Sequence, residues 1–312
     1  MSNIEILNKY DFKFNKSYGQ NFIFDKNFLN SIVDGLVDKD TEVLEIGAGA
    51  GTLTSILCEK AKKVVSFEID KNLQPILNEN LSKYDNIELV FGDIMKFEMN
   101  EIENHFENKY IMVANLPYYI TTPIIFKFLE NAKNLKSMAI MVQLEVAERL
   151  VAKAGSKEYG AITPAIDYRA NAKIIKKVNR TMFTPAPNVD SAIVKIDFVD
   201  NKFDIVNTKV LDDTIKAVFA MRRKTIENNL KSYFKLPTEI VDKIICESQL
   251  TKGIRGEKLS TQELVNLSNI ICKYIWKTPW PYSQGVFLCK KSATEGGVKP
   301  FSSNKKGVIY KK

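Results

Sequence analysis

Short apolar runs alternate with helix-like stretches between residues 41 and 145, and this alternation constrains the fold more than any other feature. Strands that alternate with helices along a chain form a parallel sheet with helices on both faces. We therefore predict an α/β fold with a doubly wound sheet. The predicted strands are residues 43–46, 64–69, 87–91, 110–114 and 138–142, and residues 174–178 and 192–198 are expected to complete the far edge.

Two helix starts are predicted from capping signals. Asp25 precedes apolar residues at helical spacing, so its carboxylate is expected to cap that helix. Thr122 is expected to cap the helix that follows the fourth strand, with Pro123 at its first position.

The pattern changes after residue 200. An α/β domain is predicted for 1–200, a small all-α domain for 205–276, and a lysine-rich, mostly disordered tail for 277–312. The apolar residues that keep continuous helical spacing are Leu211, Ile215, Val218, Phe219, Ile226 and Leu230. On one such helix Arg222 falls inside the apolar stripe, which predicts a structural role, whereas Lys224 falls outside it and is free for a phosphate.

Composition excludes several classes of protein. No apolar stretch approaches the roughly 20 residues of a membrane span, and the N-terminus lacks a secretion signal. The four cysteines are far apart, which predicts reduced thiols in a cytoplasmic protein. With His105 as the only histidine, we expect neither a histidine-based triad nor a metal site. The formal net charge of +8 comes mostly from eight lysines after residue 276, so global charge is poor evidence for nucleic-acid binding.

A glycine-rich loop follows the first predicted strand. Gly47, Gly49 and Gly51 would allow close approach of the backbone to a ligand, although dinucleotide sites and plain strand-to-helix turns use similar loops. Glu68 and Asp93 follow the next two strands, where they could accept the hydroxyls of a ribose and the amine of an adenine. No phosphate-binding lysine follows the loop. The site therefore suits an adenosine without phosphates, namely S-adenosylmethionine.

The tetrapeptide Asn115-Leu116-Pro117-Tyr118 ends the fourth strand with an amide, a rigid turn and an aromatic ring. This motif resembles the signature of ribosomal RNA adenine dimethyltransferases. The Asn115 side-chain oxygen and the Leu116 carbonyl could each accept one hydrogen of an adenine amine and turn its lone pair towards the methyl donor. Pro117 would fix the Leu116 carbonyl, and Tyr118 would stack on the extruded base. A proline-terminated strand with an exposed tyrosine is the alternative.

The resemblance extends over residues 18–271 and implies further site residues. The segment 18–22 (YGQNF) is similar to the family segment that folds over the cofactor, which implies that Asn21 and Ile23 contact its methionine end. The loop 183–192 is similar to the family loop whose aromatic residue, here Phe183, packs against the target base. A proline-rich turn is the alternative there. The implied fold is a Rossmann-like methyltransferase sheet with a C-terminal helical domain.

Three segments resemble the housekeeping branch of the family, which dimethylates two adjacent adenosines near the 3′ end of small-subunit ribosomal RNA. They are EVAERL at 145–150, FAMRRKTIEN at 219–228 and RGEKLS at 255–260. Leu144, where the family often has lysine, and the tail after Trp276 depart from the pattern. The expected partner is an immature small subunit bound by a monomer, without a membrane. The alternatives are a large-subunit enzyme that confers antibiotic resistance and a non-catalytic ribosome-assembly factor.

Two groups of basic residues are candidate contacts to RNA phosphates. Arg223 and Lys224 form one group, and the predicted strand at 174–178 contributes the other. The second group consists of Lys176, Lys177 and Arg180, with Lys173 nearby.

Overall fold

The computed structural model describes residues 3–275, and the tail predicted for 277–312 lies outside these residues. Nine strands run in chain order: β1 Phe22–Ile23, β2 Glu42–Ile46, β3 Lys63–Glu68, β4 Ile87–Phe91, β5 Tyr110–Asn115, β6 Leu135–Gln143, β7 Ala170–Val178, β8 Phe183–Thr184 and β9 Ser191–Phe198. The α-helices are α1 Asn3–Lys9, α2 Lys26–Val33, α3 Thr52–Lys60, α4 Gln74–Leu81, α5 Met99–Glu103, α6 Thr121–Asn131, α7 Leu144–Leu150, α8 Ile162–Asp167, α9 Thr208–Phe219, α10 Ile226–Phe234, α11 Thr238–Glu247 and α12 Thr261–Ile275.

Seven strands form one sheet in the order β4-β3-β2-β5-β6-β9-β7, which confirms the predicted α/β class. The first five strands in this order are parallel, whereas β9 pairs antiparallel with both β6 and β7. The two late predicted strands do complete the far edge, as β7 and β9. The short strands β1 and β8 pair separately, with Ile23 opposite Phe183.

The centre of the sheet is buried on both faces because β5 and most of β6 are apolar, whereas the edge strand β7 carries exposed lysines. Leu44 and Val65 pack on one face in a core with Phe128 of α6. Val43 and Val64 pack on the other face in a second core that includes helices α2 and α3. Burying one such side chain stabilises the fold by about 1.5–3 kcal/mol. The two cores hold the carboxyl ends of β2, β3 and β5 at one edge.

The helix starts agree with one prediction and correct the other. Asp25 caps α2, and its carboxylate accepts a hydrogen bond from the Phe28 amide at 2.9 Å. The prediction for Thr122 is wrong, because α6 begins at Thr121 with Ile120 as its cap. Pro123 then lies within the first turn, where an amide hydrogen has no helical partner and proline is tolerated.

The continuous helix predicted through Phe219 and Leu230 is wrong. Helix α9 ends at Phe219, residues 220–225 form a turn, and α10 begins at Ile226. The buried Asn229 amide crosses the break and donates to the Val218 carbonyl at 2.9 Å and the Met221 carbonyl at 3.3 Å. Arg222 therefore lies exposed on the turn and not within an apolar stripe, and it donates to the Lys157 carbonyl at 2.9 Å.

Polar contacts connect the helices after residue 200 to the α/β part. Arg169 makes two hydrogen bonds to Asp212 of α9 at 2.8 and 3.0 Å, and the Tyr168 hydroxyl donates to the same carboxylate. The chain through Tyr274 forms one compact unit. The division into domains at 1–200 and 205–276 stays a prediction. None of the helices within residues 3–275 combines the length and apolar character that a membrane crossing requires.

Candidate active site

A cleft with an empty volume of about 750 Å³ opens at the carboxyl ends of β2, β3, β4 and β5. Ligands bind at this edge in doubly wound sheets, where the strand order reverses. The cleft is lined by Tyr18, Gly19, Gln20, Asn21, Phe22, Ile46, Gly47, Gly49, Phe67, Glu68, Ile69, Gly92, Asp93, Ile94, Asn115, Leu116, Pro117, Tyr118, Tyr119, Ile120 and Ile124. Most of the residues predicted for the cofactor and the target base thus meet in one place.

The glycine loop has a backbone that only glycine adopts easily. Gly47 and Gly49 have φ angles of 84° and 55°, in the left-handed region. A Cβ atom on Gly49 would lie 3.0 Å from the Phe22 ring. The loop can therefore approach both a ligand and the N-terminal segment closely.

Glu68 connects the loop to the end of β3. Its side chain is buried, and its two carboxylate oxygens accept hydrogen bonds from the Gly49 and Asp70 amides, each at 2.9 Å. Burial raises the pKa of Glu68, and the two amide donors oppose that effect. Each oxygen keeps a lone pair, so the group can still accept from a ribose hydroxyl.

Asp93 lies at the end of β4. Its Oδ1 atom accepts a hydrogen bond from the Met95 amide at 3.0 Å and caps a short 3₁₀ turn. That contact fixes the side chain and involves only Oδ1. The predicted contact of Asp93 with an adenine amine stays a prediction.

The N-terminal segment closes one side of the cleft. The Gln20 amide nitrogen donates to the Asp70 carboxylate at 2.8 Å, and the Gln20 oxygen accepts from the Asn15 amide at 2.7 Å. Asn21 turns its own side chain to the Gly19 carbonyl at 3.0 Å. Ile23 is buried and lines a smaller cavity behind the glycine loop. The predicted contacts of Asn21 and Ile23 with the methionine end stay predictions.

The orientation of the Asn115 amide follows from its partner. Its Nδ2 atom lies 3.0 Å from the Asn21 main-chain carbonyl, and a carbonyl can only accept. The Oδ1 atom is therefore the free end of the amide, as an acceptor for an amine hydrogen. Leu116 next to it is buried, and its amide donates to the Met141 carbonyl at 3.2 Å. The turn that follows is closed by the Pro117 carbonyl, which accepts from the Ile120 amide at 3.1 Å.

Tyr118 is half-buried, and its hydroxyl lies 2.7 Å from the hydroxyl of Ser191 at the start of β9. Burial raises the pKa of Tyr118, so the phenol is neutral. The sequence reasoning missed Ser191, which is 73 residues away. The only signal was its place in the quoted loop 183–192.

Phe183 does not lie among the residues that line the cleft. Its side chain is 3% exposed and packs in the core below the sheet, opposite Ile23. A contact between this ring and a target base stays a prediction, and it would require the ring to leave its core position.

The two predicted basic groups lie on different elements. Arg223 and Lys224 are exposed on the turn between α9 and α10. On β7, Lys177 is exposed, but the Lys176 ammonium donates to the Ser31 hydroxyl at 2.6 Å and lies 4.8 Å from the centre of the Phe28 ring. Arg180 donates to the Asn188 carbonyl at 3.2 Å. Lys176 and Arg180 thus have structural partners, whereas Arg223, Lys224 and Lys177 are the more accessible cations.

Comparison with known proteins identifies relatives of this chain. The profile of the ribosomal RNA adenine dimethylase family matches residues 11–273. Ribosomal RNA small subunit methyltransferase A of Clostridium botulinum (strain Kyoto / Type A2) is 43% identical over 273 residues, which cover 87% of this chain and 98% of the relative. The protein of the same name in Bacillus pumilus (strain SAFR-032) is 43% identical over 280 residues, which cover 87% and 96%.

Two solved structures share the fold. A dimethyladenosine transferase from Plasmodium falciparum superimposes with a TM-score of 0.66 at 24% identity, covering 82% of this chain and 98% of the other. The 23S rRNA methyltransferase ErmE superimposes with a TM-score of 0.60 at 25% identity, covering 81% and 100%. These structures confirm the Rossmann-like methyltransferase architecture with a C-terminal helical part.

Proposed function

Because this chain belongs to the ribosomal RNA adenine dimethylase family of S-adenosylmethionine-dependent methyltransferases, we propose that it dimethylates two adjacent adenosines near the 3′ end of small-subunit ribosomal RNA. The observation that carries this proposal is the fixed amide of Asn115 at the end of β5, beside the glycine loop and two carboxylates. The relatives at 43% identity carry the small-subunit name. The large-subunit enzyme is less similar, at 25%, and a non-catalytic factor would not need an ordered amide at this point.

The cleft suits S-adenosylmethionine because its acceptors match an adenosine without phosphates. Glu68 would accept hydrogen bonds from the ribose, and Asp93 would accept one from the adenine amine. The main chain of the loop at Gly47 and Gly49 would contact the methionine part of the cofactor. When bound, the cofactor supplies a methyl group on a positively charged sulfur. No lysine of the described part lines the cleft, which agrees with a ligand that carries no phosphate groups.

Asn115 and Leu116 would position the target amine. An adenine amine is a weak nucleophile, because its lone pair is delocalised into the ring. Two acceptors, the Asn115 Oδ1 atom and the Leu116 carbonyl, would hold its two hydrogens and turn the lone pair towards the methyl group. The Tyr118 ring would stack on the flipped base. The amine becomes positively charged when it receives the methyl group, and this protonated, methylated amine is acidic enough to lose its proton to water.

The RNA contact proposed for Arg223 and Lys224 is supported by their surroundings. The turn that carries them is tied to the loop at Lys157 through Arg222 and to residues 253–254 through the Ile226 amide, which donates to the Ile254 carbonyl at 3.0 Å. Neither Arg223 nor Lys224 has an ion-pair partner among the described residues. Exposed cations on a rigid turn suit a phosphate backbone. We further propose a monomer in the cytoplasm, where ribosomal subunits are assembled.

Replacing the amide tests the chemistry. The variant Asn115→Ala should lose at least about 100-fold in methyl transfer to immature small subunits, because positioning contributes most of the rate, while its affinity for S-adenosylmethionine stays near that of the wild type. Transfer of labelled methyl groups and calorimetric binding measure the two quantities. Asn131→Ala, at the far end of α6, is the matched control. Undiminished transfer by Asn115→Ala would contradict the mechanism.

The substrate is tested separately. Purified protein is incubated with immature small subunits and with naked large-subunit RNA, and methylated adenosines are mapped in both. Modification confined to two adjacent adenosines of the small subunit is expected. Modification of the large-subunit RNA alone would establish the alternative.

A further inference from the structure

The hydroxyl contact between Tyr118 and Ser191 has no part in the chemistry described so far. The two oxygens lie 2.7 Å apart, and Ser191 is fully buried. Most side-chain hydrogen bonds in proteins go to the main chain or to water, so a bond between two side-chain hydroxyls is the less common arrangement. This contact joins two distant parts of the chain at the ring that would carry the target base.

The main chain around Ser191 is held from several sides. Strand β9 lies between β6 and β7, and Ser191 pairs in register with Gln143 on one side and Val178 on the other. The preceding residue, Asp190, accepts the Arg180 amide on its carboxylate and the Leu144 amide on its carbonyl, both at 2.9 Å. The Ser191 hydroxyl is therefore held in place and can restrain a more mobile side chain such as that of Tyr118.

We propose that Ser191 is a positioning residue for methyl transfer, because its hydroxyl fixes the long axis of the Tyr118 ring on which the target adenine stacks. A tyrosine hydroxyl lies on the axis of ring rotation. A hydrogen bond there leaves ring flips free but prevents the tilt about χ1 that would displace the stacking face. The inference rests on the proposed function, since it needs a base on that ring.

The contact also explains why Tyr118 differs from its neighbour. Tyr119 lines the same cleft, but its side chain is 56% exposed. Its hydroxyl makes no hydrogen bond to a described residue. An aromatic side chain held at both ends loses less conformational entropy when a base stacks on it than a free one does. Of the two tyrosines, Tyr118 therefore has the ring whose orientation is already restrained for stacking on a base.

The test removes the contact from each side and from both. Ser191→Ala deletes one hydroxyl, Tyr118→Phe deletes the other but keeps the ring, and the double variant deletes both. Single-turnover transfer of labelled methyl groups to immature small subunits is measured with saturating S-adenosylmethionine. Ser268→Ala is the matched control, since Ser268 is equally buried but donates to the Val265 carbonyl within α12. Cofactor affinity and melting temperature are measured for every variant.

Each single variant should transfer about tenfold more slowly, the scale of a lost positioning contact, with cofactor affinity unchanged. The double variant should be no slower than the slower single variant, because both changes remove the same contact. Ser268→Ala should keep the wild-type rate. Multiplying losses in the double variant, or a wild-type rate for Ser191→Ala, would overturn the inference alone. Absence of transfer by the wild-type protein would overturn it together with the proposed function.

Discussion

Main-chain atoms hold the three polar side chains at the centre of the cleft. Asn115 is oriented by the Asn21 carbonyl, Glu68 by the Gly49 and Asp70 amides, and Asp93 by the Met95 amide. Backbone groups cannot change rotamer, so these side chains are already oriented in the absence of a ligand. Such preorganisation is where an enzyme gains most from its fold.

At the scale of single residues, a substitution at Gly49 tests the role of the glycine loop. Gly49→Ala places a Cβ atom at a φ of 55° and 3.0 Å from the Phe22 ring, so we expect a loss of about 1–3 kcal/mol in stability and a larger loss of affinity for S-adenosylmethionine. Denaturant titration and calorimetry measure the two effects. Gly160→Ala is the control, because a Cβ there would meet open space. Equal behaviour of the two variants would contradict the assigned role.

The buried Glu45 gives a prediction about pH. Its Oε2 atom accepts from the Thr54 and Ser66 hydroxyls at 2.7 and 2.6 Å, while Oε1 has no partner. Burial raises the pKa of Glu45 from 4.5 to about 7. The unfolded chain releases this proton from about pH 4.5 upward, whereas the folded chain keeps it to about pH 7. The group therefore costs stability progressively between these values, and the cost is constant above them.

Glu45→Gln removes this titration. Relative to the variant, the wild-type protein should lose about 3 kcal/mol of unfolding free energy between pH 4.5 and pH 8, an upper estimate from the shift of the pKa. Urea titrations at several pH values measure the difference. A pH-independent difference between the two proteins would show that Glu45 does not hold a proton in the folded state.

At the scale of elements, the strands could be predicted and the break between α9 and α10 could not. Buried strands at the centre of the sheet are continuous apolar runs, so residues 110–114 and 138–142 were visible directly in the sequence. Apolar spacing simply continued across the turn at 220–225, because helices on either side bury the same kind of face. What separates them is a tertiary contact, in which the Asn229 amide donates to the carbonyls of Val218 in α9 and Met221 in the turn. The spacing of apolar residues carries no information about such a contact.

The Asn229 amide gives the prediction at the scale of elements. Asn229→Ala removes the buried side-chain donor to the carbonyls of Val218 and Met221, although the Met221 carbonyl keeps the Lys224 amide as a donor. It should therefore destabilise the protein by about 2 kcal/mol. Asn228→Ala, at the exposed neighbouring position, should change stability little. Thermal and urea unfolding compare the two. If Asn228→Ala is as harmful as Asn229→Ala, the hydrogen bonds from Asn229 to Val218 and Met221 are not what determines stability here.

At the scale of the whole molecule, the class of chemistry could be predicted from the sequence. The reason is that the ends of three strands and the motif at 115–118 fall on one edge of the sheet. The contacts between distant segments, such as Tyr118 with Ser191 and Asn115 with Asn21, required the folded chain. The role of Phe183 also depends on tertiary structure, since the ring that was expected near the base is buried in the core.

Charge on the molecular surface gives the last prediction. Replacing Arg223 and Lys224 with alanine should weaken binding to immature small subunits and lower the slope of log affinity against log salt by about 1–2, since each phosphate contact contributes slightly less than one. Filter binding at several salt concentrations measures both. Lys243→Ala, on the exposed face of α11, is the control and should leave the slope unchanged. An unchanged slope in the double variant would place the RNA elsewhere.

The hydrogen bond from Asn115 to residue 21 has a genetic consequence. The acceptor is a main-chain carbonyl, so no side-chain substitution at position 21 deletes it. An alanine scan of the N-terminal segment would report on residue 21 only through its own side chain and would overlook its hydrogen bond with the Asn115 amide. Deletions or insertions that shift the register of residues 18–22 would expose it. A side-chain substitution at position 21 therefore tests only the predicted cofactor contact of Asn21, whereas a change in segment length tests the orientation of the Asn115 amide.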